Sequence, residues 1–155
     1  MTSAGAHEVL GGWTAEEHAE LAPFLTFVQV ARGVAFTGST LGLLDLAPVT
    51  VFVGPPASGS LGHVTTGAFL DLWWAAADVP GRESERRGVV SLVDPETMPR
   101  YDALVRLSRP RIHGSGLRYD AELVEGVLPP SSGSCVLFIH PATAASPEIA
   151  VTRFG

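Results

Sequence analysis

Five histidines, a single cysteine and a scatter of serines are the residues of this chain that could carry acid–base, metal or nucleophilic chemistry. Their spacing supports little of it. His7, His18, His63, His113 and His140 contain no i, i+4 pair of the kind that holds zinc on one helix face, and Cys135 has no partner at zinc spacing, so no metal site is expected. A nucleophile elbow needs G-x-S-x-G, and the nearest approach, Ser60 between Ser58 and Gly62, lacks its first glycine. Asp120 and Glu122 share a strand face ~7 Å apart by strand geometry, but beside Arg118 they read as a solvated surface and not as a glycosidase pair. His63, just ahead of a helix cap, is expected to satisfy loop backbone groups. His113 beside a turn and His140 at a strand end would meet at one rim if their hairpins stack.

The aromatic residues offer a different chemistry. Trp73, Trp74, Tyr101 and Tyr119 could line a ligand pocket between a helix and a sheet, combining broad apolar contact with N–H and O–H groups that orient a bound molecule. An enzyme that folds its substrate into a reactive conformer needs positioning more than acid or base groups, and leaves no motif. The catalytic candidates are then Tyr119, His113, His140 and His63, with no cofactor. The alternative is that the same aromatics are core.

The elements that would position these residues are mostly strands. Phe24 to Val30 and Val34 to Thr37 read as strands broken at Arg32-Gly33, then Leu41 to Leu46 and Val49 to Val53 follow across Ala47-Pro48. Gly54 to Gly62 reads as a flexible loop. Thr65 or Thr66 caps the clearest helix, Gly67 to Ala77, whose apolar residues cover more than half its circumference and leave Asp71 as the evident wet position. Val89 to Val93, Tyr101 to Leu107, Ile112 with Leu117 to Val127, and Ser134 to His140 supply a second group of strands. Leu117, Tyr119, Ala121 and Leu123 should face inward while Arg118, Asp120 and Glu122 face out. Cys135 to Ile139, apolar on both faces, suits a central strand, and Pro110 should mark a bulge or an edge. Thr14 with Glu17 fits a capping box for a short N-terminal helix, and Ile149 to Phe154 would add a last strand.

Two stretches echo each other: Phe36-Thr37-Gly38-Ser39-Thr40-Leu41 with Val51-Phe52-Val53, and Ile112-His113-Gly114-Ser115-Gly116-Leu117 with Leu137-Phe138-Ile139. Both read as strand, Gly-Ser hairpin turn, strand and apolar strand. The expected fold class is therefore mainly β, an antiparallel sandwich or barrel built from two related halves, with one main helix near residues 66–77. Residues 1–12 are expected to be a frayed N-terminus and 13–155 a single domain, large enough to bury its own core.

Charge excludes some partners. The formal net charge is −6, and all ten cations are arginine, with no lysine or asparagine, a bias that points to a GC-rich, actinobacterial genome. An acidic chain lacks the electrostatic footprint for nucleic acid. The run Arg82-Glu83-Ser84-Glu85-Arg86-Arg87 mixes both signs after Pro80-Gly81 and reads as a solvated loop. Cys135 sits in an apolar run and reads as a small buried hydrophobe. No apolar stretch has transmembrane length, and the first thirty residues hold no charged start with an apolar run, so a soluble cytoplasmic protein is expected.

From Phe24 to Pro141 the chain resembles an uncharacterised family of small bacterial β-rich proteins, many of them exported. The resemblance is carried by Thr37-Gly38-Ser39-Thr40-Leu41, Val49-Thr50-Val51-Phe52, Gly62-His63-Val64-Thr65-Thr66 leading to Phe69-Leu70-Asp71-Leu72-Trp73, Arg109-Pro110-Arg111-Ile112-His113-Gly114 leading to Leu117-Arg118-Tyr119, Leu128-Pro129, and Leu137-Phe138-Ile139. It implies a β fold and no nameable activity. Two functional readings follow from the residues: a binder of a hydrophobic small molecule, acting in one variant as a cofactor-independent cyclase or isomerase of secondary metabolism, or a structural module that forms a homodimer or docks a partner through its tryptophan-bearing helix.

Overall fold

A computed structural model describes residues 20–77, 85–93 and 100–142. The capping box, most of the N-terminal helix, residues 82–84 of the charged run and the proposed last strand lie outside them.

The described residues form nine strands, β1 (Thr26–Phe36), β2 (Thr40–Leu46), β3 (Val49–Val53), β4 (Leu61–Thr65), β5 (Glu85–Val93), β6 (Arg100–His113), β7 (Gly116–Gly126), β8 (Ser131–Ser132) and β9 (Cys135–Ile139), and one α-helix, α1 (Thr66–Ala77), after β4. Pairing is antiparallel throughout and runs β1-β2-β7-β6-β5-β9 and back to β1, which closes a six-stranded barrel. Closure leaves these six strands without the unpaired edges that invite aggregation. Inward residues alternate with outward ones: Phe27, Gln29 and Ala31 from β1 share the interior with Val90 and Leu92 from β5 and Leu137 from β9. Each fully buried Leu or Phe contributes roughly 1.5–3 kcal/mol.

The break expected at Arg32-Gly33 is instead a change of phase within one continuous strand. Ala31 and Val34 are both buried, three residues apart, so the strand turns its inner face there. β2 bends opposite, with Asp45 at φ 49°. Beyond Ala47-Pro48, β3 continues along the same edge of β1, but its other edge pairs with β4 instead of β7. The β3–β4 hairpin thus departs from the barrel wall, and α1 packs on its inner side and on a 3-10 turn at Ala22–Phe24. The Thr65 hydroxyl accepts the Ala68 N–H and caps α1. Gly54 to Gly62 is shorter as a loop than expected, because a 3-10 turn at Pro56–Ser58 and the start of β4 occupy it.

The two echoing turns are both hairpins, with Gly38 at φ 100° and Gly114 at φ 59°, conformations that glycine adopts without Cβ strain. They sit at opposite ends of the β2–β7 pairing, where Leu41 faces Tyr119 and Leu117 faces Leu43. The matched leucines therefore occupy interchangeable places, as a local two-fold would arrange them. The match fails further on: Phe52 pairs with inward Phe27 and is buried, whereas Phe138 pairs with outward Val28 and is exposed.

Other expectations need correction. Leu123 keeps the inward phase, opposite buried Val105, but is exposed near the end of β7, just before the register shift between Leu104 and Val105. The bulge at Pro110 is present, with a register shift between Ser108 and Arg111 and Arg109 at φ 55°. Glu85-Arg86-Arg87 is not a solvated loop; it is the start of β5.

Candidate functional site

β5 alternates from its first residue: Glu85 and Arg87 face solvent, while Arg86, Gly88, Val90 and Leu92 face in. Arg86 is only 3% exposed at the end of the barrel that α1 covers. Its guanidinium donates to the Leu25 carbonyl at 3.0 Å and to the Ala22 carbonyl at 2.8 Å. The same group lies 5.3 Å from the ring centres of both Phe27 and Trp73, within cation–π range. Burial lowers its pKa to about 10, so it remains charged at neutral pH.

A second polar group crosses the interior beside it. The Tyr119 hydroxyl donates to Gln29 Oε1, and Gln29 Nε2 donates to Thr50 Oγ1 at 3.2 Å. All three residues are fully buried. Desolvation holds the Tyr119 phenol far above its ordinary pKa, against the pull of the Gln29 hydrogen bond and the Arg86 charge. The phenol is thus a donor and not a base at any working pH. Rings connect the two groups: Phe27 to Phe69 at 5.0 Å, Phe69 to Trp73 at 6.0 Å and Trp73 to Tyr119 at 5.9 Å between centroids.

Of the residues singled out from the sequence, the fold brings Trp73 and Tyr119 together and turns Trp74, 41% exposed, to the outside of α1. Among its described residues the helix thus has exposed positions at Gly67 and Trp74 besides Asp71. Tyr101 pairs with Leu92 in β6, and its side chain lies outside the described residues. His63 is in β4, not in a loop, and is exposed opposite Val51. His113 Nε2 meets Arg118 at 2.9 Å on the surface. His140 is half-buried at the end of β9, where its N–H donates to the Arg87 carbonyl. Cys135 is buried, and desolvation pushes its thiol up to about 11, as befits an inert core residue.

Arg86, Gln29 and Thr50 were not anticipated. Gln29 did carry a signal: it is the chain's one glutamine, in a chain without asparagine, on the same strand face as Phe27 and Ala31. Arg86 carried one too, since the period-two pattern of Val90 and Leu92 extends back through Gly88 to it.

Burial depresses the pKa of His140, and the Arg87 charge depresses it further. The unfolded chain takes up this proton near pH 6.5 while the folded chain still refuses it, so acidification below about 6.5 must favour unfolding. The urea midpoint is expected to fall between pH 7 and pH 5.5, and to fall less in His140→Gln.

The class these observations define is a six-stranded antiparallel β-barrel, closed at one end by a helix, with a cation and a hydrogen-bonded polar chain inside. Compared with known proteins, the chain matches no family model, no curated protein and no solved structure. No helix among the described residues is long and apolar enough to cross a membrane.

Proposed function

We propose that this chain binds a hydrophobic small molecule at the helix-covered end of its barrel, against Trp73 and Tyr119. Catalysis there would be a cofactor-independent cyclisation or isomerisation. The observation that carries the reading is the Tyr119–Gln29–Thr50 chain beside Arg86, set among aromatic rings. Apolar packing alone would not select four buried polar side chains at one end of a barrel, because each costs free energy unless its hydrogen bonds are met. Ligand sites combine an apolar lining with a few such convergent groups. In an enzyme of this kind the Tyr119 O–H would turn from its Gln29 acceptor to a developing oxyanion, and Trp73 would hold the reactive conformer.

A thermal-shift screen against apolar metabolites tests the reading, since any compound preferring the native state raises its melting temperature. Failure of every compound to do so would remove it. Tyr119→Phe is expected to cost about 1–3 kcal/mol by stranding the Gln29 carbonyl, measured by urea denaturation. The same substitution should weaken any ligand found in the screen.

The interaction-module reading is favoured by a different surface. In register across neighbouring strands, Val51, Val28, Phe138, Val89 and Leu104 form an outward row, with Val30 and Val136 beside it. Val30, Val51 and Phe138 are each more than a third exposed, and Trp74 adds an exposed ring on α1. Sedimentation equilibrium separates the two: a monomer that binds apolar ligands supports the first reading, and a dimer weakened by Val51→Arg supports the second.

A further inference from the structure

The position of Arg86 extends the ligand reading, on which this inference rests: the geometry points to a ligand that carries a single carboxylate on an apolar body, with Arg86 as its anchor. A guanidinium has five N–H donors. Among the described residues its acceptors are the Leu25 and Ala22 carbonyls, one N–H to each. Both are neutral, and the remaining donors have no described acceptor. Among the described residues, Glu85, Asp120 and Glu122 pair with Arg106, Arg109 and Arg111 near the surface and not with Arg86. A charge 97% removed from solvent therefore stands without a counter-charge among the described residues, in an environment where an unpaired ion is costly.

The two ring faces of Phe27 and Trp73 reduce that cost and hold the guanidinium in place. A planar fork so held is suited to the two oxygens of a carboxylate. One positive charge is balanced by one negative charge, which favours a monocarboxylate over a phosphate dianion. The surroundings specify the rest of the molecule: Phe69, Leu72 and Trp73 on α1 are buried and apolar, and the Tyr119 ring packs on Trp73 with its hydroxyl donating to Gln29.

Decanoate and 1-decanol, which share a chain and differ in the acid group, are the probes. Isothermal titration against the full-length protein is expected to show decanoate binding at least ~10-fold more tightly than decanol. In Arg86→Met, which keeps apolar volume and removes the charge, that preference should vanish while decanol affinity is retained. Equal binding of both probes by the unsubstituted protein would overturn the carboxylate inference and leave the ligand reading standing. Binding of neither would overturn both, and a preference that survives in Arg86→Met would show that another group is the anchor. Should Arg86→Met fail to fold, carboxyl-labelled decanoate on the unsubstituted protein decides by NMR: its bound titration midpoint must lie below that of the free acid, and an unchanged or raised midpoint overturns the inference.

Discussion

Trp73→Ala is expected to cost the fold about 3–5 kcal/mol, whereas Trp74→Ala, one residue along, should cost less than about 1 kcal/mol. The contrast comes from the turn of the helix. Trp73 is 1% exposed and touches Phe69, Tyr119 and the Arg86 guanidinium, so its removal opens a cavity and takes one of two ring faces from a buried charge. Trp74 points away at 41% exposure. Urea denaturation monitored by far-UV circular dichroism checks both, and equal effects would mean that α1 does not present Trp73 to the barrel. Trp73 also forms the ring wall of the proposed ligand site, so ligand affinity is best measured in the milder Trp73→Phe.

The second large effect is expected at Gly116, where β7 begins against β2. A Cβ placed there would lie 1.8 Å from the Leu43 carbonyl oxygen, an overlap with backbone that no side-chain adjustment relieves. The seam is also tied by the Ser115 hydroxyl, which donates to Asp45 and accepts the Asp45 N–H, and by the Leu46 N–H donating to the Ser115 carbonyl. Gly116→Ala must separate these strands or bend β7, at or beyond the upper end of the ~1–3 kcal/mol usual for overpacking. Gly67 in the first turn of α1 is the control. Nothing lies within 4 Å of an added Cβ there, so Gly67→Ala should stabilise by about 0.5–1 kcal/mol. Opposite shifts in the urea midpoint are the expected result, and a tolerated Gly116→Ala would mean that the barrel is not closed at this seam.

Periodicity made much of the architecture legible. Alternation alone bounds β3 at Val49 and Val53 and turns Leu117, Tyr119 and Ala121 inward, because a half-buried strand writes its two faces in alternate residues. The same rule failed at Arg32-Gly33, where Ala31 and Val34 are both buried within one continuous strand, and at Leu123, which keeps the inward phase opposite Val105 but is exposed. It failed for a different reason at Arg86. Charge makes a strand residue look solvated, and only the ring faces of Phe27 and Trp73 and the carbonyls of Ala22 and Leu25, all distant along the chain, make its burial affordable. Pairing Trp73 with Trp74 as one pocket wall erred similarly, since consecutive residues on a helix point about 100° apart.

By itself, the sequence determined a chain of short antiparallel strands, two glycine-serine hairpins and one tryptophan-bearing helix, because alternation, turn chemistry and capping are local and act within a few residues. Closure of six strands into a barrel, departure of the β3–β4 hairpin to seat α1, and the meeting of Arg86, Trp73, Tyr119 and Gln29 were decided only in three dimensions. These depend on which strands share an edge, and they join residues far apart along the chain, Phe27 with Ile139 at the barrel's closure and Gln29 with Tyr119 inside it, beyond the reach of any local pattern.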